Sequence, residues 1–389
     1  MLHRTWRDER GFSLVLIGLG FAGLLAATTL AIDVGMFMTA RSQAQNSADA
    51  GALAGATALV LDSYTDRTAS GPAVQNALVA ATANQVMGIT VNITPDDVTF
   101  PNDATGQPNL VRVQVYRTTA RGNPVDTLMG RFFKVPTVDI FATATAQAAP
   151  ANAMTCVKPF MIPDKWIENS DENGRADGSW TPSSTFDLLD RRGNPLPNPD
   201  VYIGADHVPG YTGYTVENDV GTQLVLRAGQ GNQPNPSFYF SWKMPGDTGG
   251  DFYRENIENC NQDVVTWGAD MTQEPGNMNG PTIQGIQALI DKDPNAYWDA
   301  QCKCLRGSNT SGQSPRVFPI PLFDPAYYAE GKATGRVATF RVANFLGFFA
   351  DHVSGNQIYG VITTIVGVVD PNAGPAPAGA FIRAIRLVQ

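Results

Sequence analysis

The chain has 389 residues, 43% of them hydrophobic and 16% charged, with 38 glycines, 27 prolines and a formal net charge of −9. Low charge with many turn formers suits an ordered, strand-rich protein outside the cytoplasm rather than a disordered one. An acidic chain without a Lys/Arg-rich run excludes nucleic acid as a partner, because affinity for phosphate backbones rests on clustered cations.

The first predicted element is a membrane helix. From Phe12 to Ile32 no residue is charged, and eleven of these 21 residues are Phe, Leu, Ile or Val. At about 1.5 Å per helical residue the stretch covers roughly 31 Å, the thickness of a hydrocarbon core. Arg4, Arg7 and Arg10 precede it, whereas Arg41 is the nearest cation after it. The positive-inside rule then places residues 1–11 as a cytoplasmic tail and everything beyond Asp33 on the far side. A cleaved secretory signal is the competing reading, but its apolar stretch would run about 7–15 residues before an A-x-A-like site. "TLA" at 29–31 is a weak match to such a site, so an uncleaved signal anchor is expected.

Within this stretch "GLGFAG" matches G-x-G-x-x-G. A dinucleotide fingerprint needs a strand before it, a polar-faced helix after it and an acid about twenty residues on. Here the apolar run continues, and Asp33 is too near. The small residues fit close approach of membrane helices instead: Gly18, Ala22 and Ala26 are spaced by four, as are Gly23, Ala27 and Ala31. Gly18, Ala22, Gly23, Ala26 and Ala27 are therefore the helix-packing candidates.

Helical character continues through residues 33–62. Met36, Ala40, Ala44, Ala48, Ala52 and Ala56 recur four apart, beside a polar stripe of Arg41, Gln45 and Asp49. With no proline before Pro72, one helix of about 50 residues and roughly 75 Å is expected. Its Ala-rich stripe is suited to pack on a sheet or a second pilin-like helix, or simply to serve its own domain. "RGFSLVLIGLGFAGLLAATTLAIDVGMFMTARSQAQNSADAGALAGA" carries an Arg-Gly before the span, Asp33-Val34-Gly35 at its end, and Gln45, Asn46, Ala48, Asp49, Ala50, Ala52, Leu53 and Ala54 beyond. In these residues the chain resembles the N-terminal region of TadG-like and TadE-like proteins of the Tad/Flp pilus-assembly machinery. The resemblance covers about the first 60 residues and implies an envelope component anchored in the bacterial inner membrane. Prepilins cut by their peptidase carry Glu five residues after the cleavage-site glycine. Counted from Gly11 that position is Leu16, so an anchored protein fits better than a processed pilin. Some longer relatives hold a D-x-S-x-S metal motif, which this chain lacks, so metal-dependent adhesion is not carried over.

Residues 71–88 read as a second amphipathic helix, opened by Pro72 and closed near Gly88. Strands are expected at 89–94, 110–117 and 137–147 from period-two alternation. The fold class is thus α+β: a transmembrane helix (12–32) continuing into a long helix on a small antiparallel sheet (33–149, pilin-like). A mainly-β domain (150–389), taken as a sandwich, follows. Its strands are expected at 200–203, 214–227, 237–243, 316–322, 336–349, 357–369 and 380–388, with helices at 281–291 and 294–300.

Cys156, Cys260, Cys302 and Cys304 all fall on the outer side, where an even count favours disulfides over a C-x-C metal site. A Cys302–Cys304 bridge would close a very tight loop, so Cys260 is expected to pair with one of that couple and Cys156 with the other. The three histidines form no H-E-x-x-H, and no G-x-S-x-G elbow supports a nucleophile near His207 or His352. "DENGRADG" (171–178) collects oxygen donors but departs from an EF-hand at Arg175 and Ala176, so a solvated turn is the simpler reading than calcium. Asp187 and Asp190 raise a glycosidase possibility without fixing a separation, and "PSFYFSWKMP" (236–245) reads as core rather than a carbohydrate strip. No catalytic, cofactor or metal residue is assigned. The expected function is a non-enzymatic, membrane-anchored structural component of pilus assembly, with membrane helices or pilus-assembly proteins as partners. The alternative is a tethered glycan-binding module or hydrolase using the β-domain.

Overall fold

A computed structural model describes residues 10–62, 65–104, 106–169, 180–190, 192–229, 233–333 and 339–388. The described residues form two compact units: 10–58, 66–147 and 386–388 in one, 59–62, 65 and 148–385 in the other. The fold class is α+β, with a long apolar N-terminal helix and a mainly-β C-terminal region.

Helix α1 runs unbroken over Arg10–Leu61, 52 residues, or about 78 Å. Helix α2, Pro72–Ala83, has extended Gly71 before it and proline in its first turn, where the missing N–H costs nothing. It stops five residues short of the expected end. Met87 and Gly88 both take positive φ (51° and 75°), which builds a two-residue hairpin between β1 (Gln85–Val86) and β2 (Ile89–Thr90) rather than another helical turn. The strand expected at 89–94 is accordingly only two residues long, with Asn92 bridging singly to Tyr116.

Strands β3 (Val98–Thr99) and β4 (Leu110–Arg117) pair antiparallel. A hairpin of β5 (Val125–Asp126) and β6 (Thr137–Val138) leads to β7, Ile140–Pro150, which lies antiparallel beside β4. The C-terminal strand, Arg383–Val388, completes this four-stranded sheet on the other side of β7. Alternation decides which side chains face α1. Val111, Val113 and Val115 of β4 point inward opposite Ala146, Ala144 and Ala142 of β7, while Arg112, Gln114, Thr143 and Thr145 point outward. Branched valines set against alanines leave a shallow surface on which a small-residue helix face can lie.

The second unit is built on β8 (Phe160–Pro163), β9 (Gln223–Ala228), β10 (Phe238–Ser241), β11 (Asp270–Thr272), β12 (Val317–Phe323), β13 (Thr339–Ser354) and β14 (Gln357–Thr363). Their order is β11-β13-β12-β8-β10-β9-β14, and β14 also pairs with β13, closing six strands into a ring. The expected sandwich is corrected to this closed, mixed sheet. Closure depends on the 16-residue β13, which pairs with β11 and β12 along its first part and with β14 along its last, around an irregularity at Ala350/His352. Both faces are buried. Phe160, Ile162, Ile320, Leu346 and Phe348 belong to one core, which Tyr253 and Ile257 of α3 (Gly250–Glu258) and Ile286 and Leu289 of α4 (Asn279–Lys292) complete. Met161, Phe240, Phe323, Phe340 and Phe345 belong to the other, with Tyr328 of α5 (Pro325–Ala333). Burial on both sides explains why "VFPIPLF" and "NFLGFF" are continuous apolar runs rather than alternating ones.

Helices α3 and α5 were not expected, and residues 294–300 are not helical: Tyr297–Asp299 is a strand paired with Cys304–Arg306. The strand expected at 200–203 is a single bridge from Val201 to Ile167, and that at 214–227 begins only at Gln223, after a helical turn at Val216–Asp219.

Candidate functional site

The apolar start of α1 is bare. Phe12, Leu14, Ile17, Leu19, Leu24 and Leu30 are 64–74% exposed, and the helix is long and apolar enough to cross a membrane, with a mean hydropathy of 2.2 in its most apolar window. Water is a poor solvent for such a surface, which exceeds the apolar patches that soluble proteins show. The hydroxyls of Thr28 and Thr29 donate back to the Leu24 and Ala26 carbonyls, both at 2.8 Å, so neither needs an outside partner. A methyl placed on Gly18 or Gly23 would meet nothing within 4 Å. Gly18, Ala22, Gly23, Ala26 and Ala27 are all exposed, and the described residues put no second helix against them.

Further along, the same helix is committed to its own unit. Ala40, Ala44, Ala48, Ala52 and Ala56 are almost wholly buried. Gly51 and Gly55 mark the closest approach: an added Cβ would stand 3.1 Å from Val113 at Gly51 and 2.8 Å from Val111 at Gly55, and 3.1 Å from the Ala77 or Ala73 carbonyl of α2. Polar residues stitch the contact. Buried Ser47 donates to the Ala81 carbonyl at 2.7 Å, and Gln43 accepts the Met87 N–H at 2.8 Å. Gln45 donates to Asp49 at 2.8 Å and to the Thr143 carbonyl at 3.2 Å. Of the two uses open for the alanine stripe, the structure therefore fills it with the chain's own sheet and second helix.

Asp33, one residue beyond the apolar stretch, makes the arrangement's most concentrated polar contact. It is 6% exposed, and its carboxylate accepts the backbone N–H groups of Leu128 (3.0 Å), Met129 (3.2 Å) and Gly130 (2.6 Å). Burial alone would raise its pKa. The three amides, with Arg131 nearby, outweigh that and hold it below the ordinary carboxylate range. An ionised acceptor facing three converging donors is a strong, charge-assisted clamp. The sequence marks Asp33 as part of a motif but gives no sign of its partners, which lie some 95 residues away.

The second unit corrects the disulfide expectation. Cys156 bonds to Cys260 and Cys302 to Cys304. The vicinal-but-one bridge forms because Lys303, between the two cysteines, takes a left-handed turn (φ 51°), leaving the Cα atoms 5.2 Å apart, within the ordinary range. His207 and His352 are surface residues, each beside its neighbouring acid, Asp206 and Asp351. Asp187 accepts from Gln233, whereas Asp190 closes a turn onto Asn194 and Arg192. The 171–178 loop lies outside the described residues. Tyr239, Phe240 and Trp242 are buried and Phe238 lies under Arg227, so the aromatic run is core on both sides and offers no exposed strip. Among the described residues no three His, Cys, Asp or Glu side chains group closely enough to share a metal ion.

Two buried charges here escaped sequence reasoning. Asp164 accepts from Tyr202 (3.0 Å), Tyr211 (2.8 Å) and the Tyr214 N–H (3.0 Å), and burial pushes its pKa up to about 6. Lys158 donates to the Ile257 and Asn259 carbonyls, and burial, then Lys292, lowers it to about 7. Both are enclosed by partners of this same unit, as structural groups are.

No curated protein and no solved structure matches this chain. Residues 11–58, the stretch of α1 that holds the bare span, Asp33 and the buried alanine stripe, match the family model described as putative Flp pilus-assembly TadE/G-like.

Proposed function

We propose that this protein is a single-pass, membrane-anchored structural component of Tad/Flp-type pilus assembly, with a cytoplasmic N-terminus and both folded units outside the inner membrane. Its role is tethering and helix packing rather than catalysis. The observation that carries this is the division of α1. Within the family-matched residues 11–58, the part from 12 to 32 is exposed and lined with small residues, while the alanine face of the part from 40 to 56 is buried against its own unit. Eleven Phe, Leu, Ile and Val residues, at roughly −0.3 to −0.6 kcal/mol each near a helix centre, favour insertion by several kcal/mol. Once inserted, Gly18/Ala22/Ala26 and Gly23/Ala27 allow a neighbouring helix of the pilus machinery to approach closely.

Site-directed crosslinking in cells that assemble the pilus tests this. Replacing Gly18, Ala22 or Gly23 by Leu should reduce crosslinks from the span to its partners while leaving the protein's level in the membrane fraction unchanged. Undiminished crosslinking and piliation would remove the packing role. A reporter fused after Gln389 that is active only in the cytoplasm would overturn the topology.

A further inference from the structure

The turn between β5 and β6 carries a surface that folding of the first unit does not explain. Phe132 is 78% exposed, Phe133 65%, Val135 49% and Leu128 47%, and Arg131 and Lys134 stand exposed among them. The turn is nonetheless firmly built. Thr127 N–H donates to the Pro136 carbonyl at 2.9 Å, Val135 N–H to that of Gly130 at 3.0 Å and Phe132 N–H to that of Met129 at 3.0 Å. The Thr127 hydroxyl donates to the Val135 carbonyl at 2.6 Å, Arg131 donates to the Thr127 carbonyl at 3.1 Å, and Asp33 accepts from the N–H groups of residues 128–130. A turn that makes this many of its own backbone hydrogen bonds while turning its phenylalanines outward suits a surround poorer in hydrogen-bonding partners than water.

Its location follows from register. β4 runs back along α1, Val111 lying at Gly55 and Val113 at Gly51, so its far end at Arg117 points toward the apolar span. The chain between β4 and β7 therefore hangs from the end of the unit nearest that span, and Asp33 fixes the turn one residue beyond Ile32. Resting on the reading of 12–32 as a membrane anchor, we propose that residues 127–136 form a second membrane contact. Phe132 and Phe133 enter the interfacial layer of the leaflet from which α1 emerges, and Arg131 and Lys134 reach its anionic phosphates. Aromatic rings and cations at one depth beside a span are the groups that anchor at an interface. The occupant is the lipid surface because the patch is continuous with the span and carries the charge that complements phospholipid headgroups.

All four native cysteines are in disulfides, so an introduced cysteine in the full-length protein is a unique thiol for an environment-sensitive fluorophore. Phe132→Cys, Leu24→Cys and Ser70→Cys should be labelled and reconstituted separately in phosphatidylcholine/phosphatidylglycerol vesicles bearing lipid quenchers at either a shallow or a deep acyl position. The label at 132 is expected to shift blue and lose most of its emission to the shallow quencher, that at 24 to the deep quencher, and that at 70 to neither. A deep-quenched label at 24 with the label at 132 behaving like that at 70 would overturn the second contact and leave the anchor standing. An unquenched label at 24 would overturn both. A label at 132 shielded from water but untouched by either lipid quencher would replace the lipid by a second copy of the chain.

Discussion

The seating of α1 on its sheet can be measured at two glycines of the same helix. A methyl at Gly55 would lie 2.8 Å from Val111 Cγ1, 3.1 Å from the Ala73 carbonyl oxygen and 3.3 Å from Ala77 Cβ, whereas one at Gly35 would meet nothing within 4 Å. Carbon atoms in contact prefer about 3.5–4.0 Å. The wall at Gly55 is a stiff branched side chain and a backbone carbonyl, neither of which yields cheaply. Overpacking of this kind costs about 1–3 kcal/mol. Exchanging glycine for alanine inside a helix gains about 1 kcal/mol at either position, so that gain cancels in the comparison. Gly35→Ala should stabilise slightly, and Gly55→Ala should fall about 1–3 kcal/mol below it. Hydrogen exchange of the β4 amides, Leu110–Arg117, in the full-length protein in mild detergent reads the difference locally. At tenfold per 1.4 kcal/mol, those amides should exchange roughly 5- to 150-fold faster in Gly55→Ala than in Gly35→Ala. Val111→Ala removes one wall, so the double variant Gly55→Ala/Val111→Ala should show a coupling of about 1 kcal/mol, inside the range seen for residues in contact. Equal exchange in the two single variants, or a strictly additive cycle, would refute the tight seating.

Cys156–Cys260 spans 104 residues, and chain entropy assigns such a loop about 4–5 kcal/mol, against about 1–2 kcal/mol for a bridge between residues two apart. Replacing Cys156 and Cys260 by Ala should therefore lower the guanidinium midpoint, followed by tryptophan fluorescence, far more than replacing Cys302 and Cys304, and non-reducing peptide mapping should recover these two pairs. Asp164 keeps its proton in the folded state up to about pH 6 against an ordinary value of 3.8. Stability of the second unit should then fall as pH rises between those values, and Asp164→Asn should flatten that limb of a stability–pH curve. Lys158 has the opposite sign. With its folded value lowered to about 7 from 10.5, it contributes a rise in stability with pH across that interval, which Lys158→Met should remove. Asp33→Asn should speed hydrogen exchange at Leu128, Met129 and Gly130 and leave the β4 amides unchanged; protection retained at those three would show that the carboxylate does not hold the turn.

Features that rest on local pattern were legible in the sequence, and features that rest on distant partners were not. The uncharged run 12–32 and the absence of proline before Pro72 were enough to read one long helix, and the strict alternation of "LVRVQVYR" located β4 to the residue. Helix α5 carries its sign locally: Asp324 before Pro325 accepts the Tyr327 N–H at 2.9 Å, an ordinary N-cap. Helix α3 likewise buries Tyr253, Asn256 and Ile257 at helical spacing. The closed ring of strands, in contrast, is set by which edges of β13 find β12 and β14, and strands buried on both faces look alike in sequence whether the sheet closes or stacks. Disulfide pairing failed for a related reason, since it turned on the backbone conformation of Lys303.

The two small-residue lines of the span are not equivalent, and the helix itself tells them apart. Eighteen residues make five full turns at 3.6 residues per turn. Gly18, Ala22 and Ala26 therefore stand in line with Met36, Ala40 and Ala44, the last two of which are buried under the first unit. Gly23, Ala27 and Ala31 stand in line with Arg41, Gln45 and Asp49, the stripe beside the alanine core, which is exposed at Arg41 and Gln45 and borders the sheet where Gln45 donates to the Thr143 carbonyl. With α1 continuous from one region to the other, no hinge lets the outer part turn independently of the span. A partner helix that packs in the bilayer and continues outward beside α1 meets exposed Arg41 and Gln45 along the Gly23 line, whereas along the Gly18 line it would run into the first unit at buried Ala40 and Ala44. Gly23→Leu should accordingly abolish crosslinks to such a partner at Arg41 or Gln45 as well as within the span. Gly18→Leu should spare the outer crosslinks and weaken only contacts confined to the bilayer. If Gly18→Leu removed the outer crosslinks while Gly23→Leu kept them, the partner would have to occupy the face that the first unit covers, and the docking of that unit on α1 would be wrong.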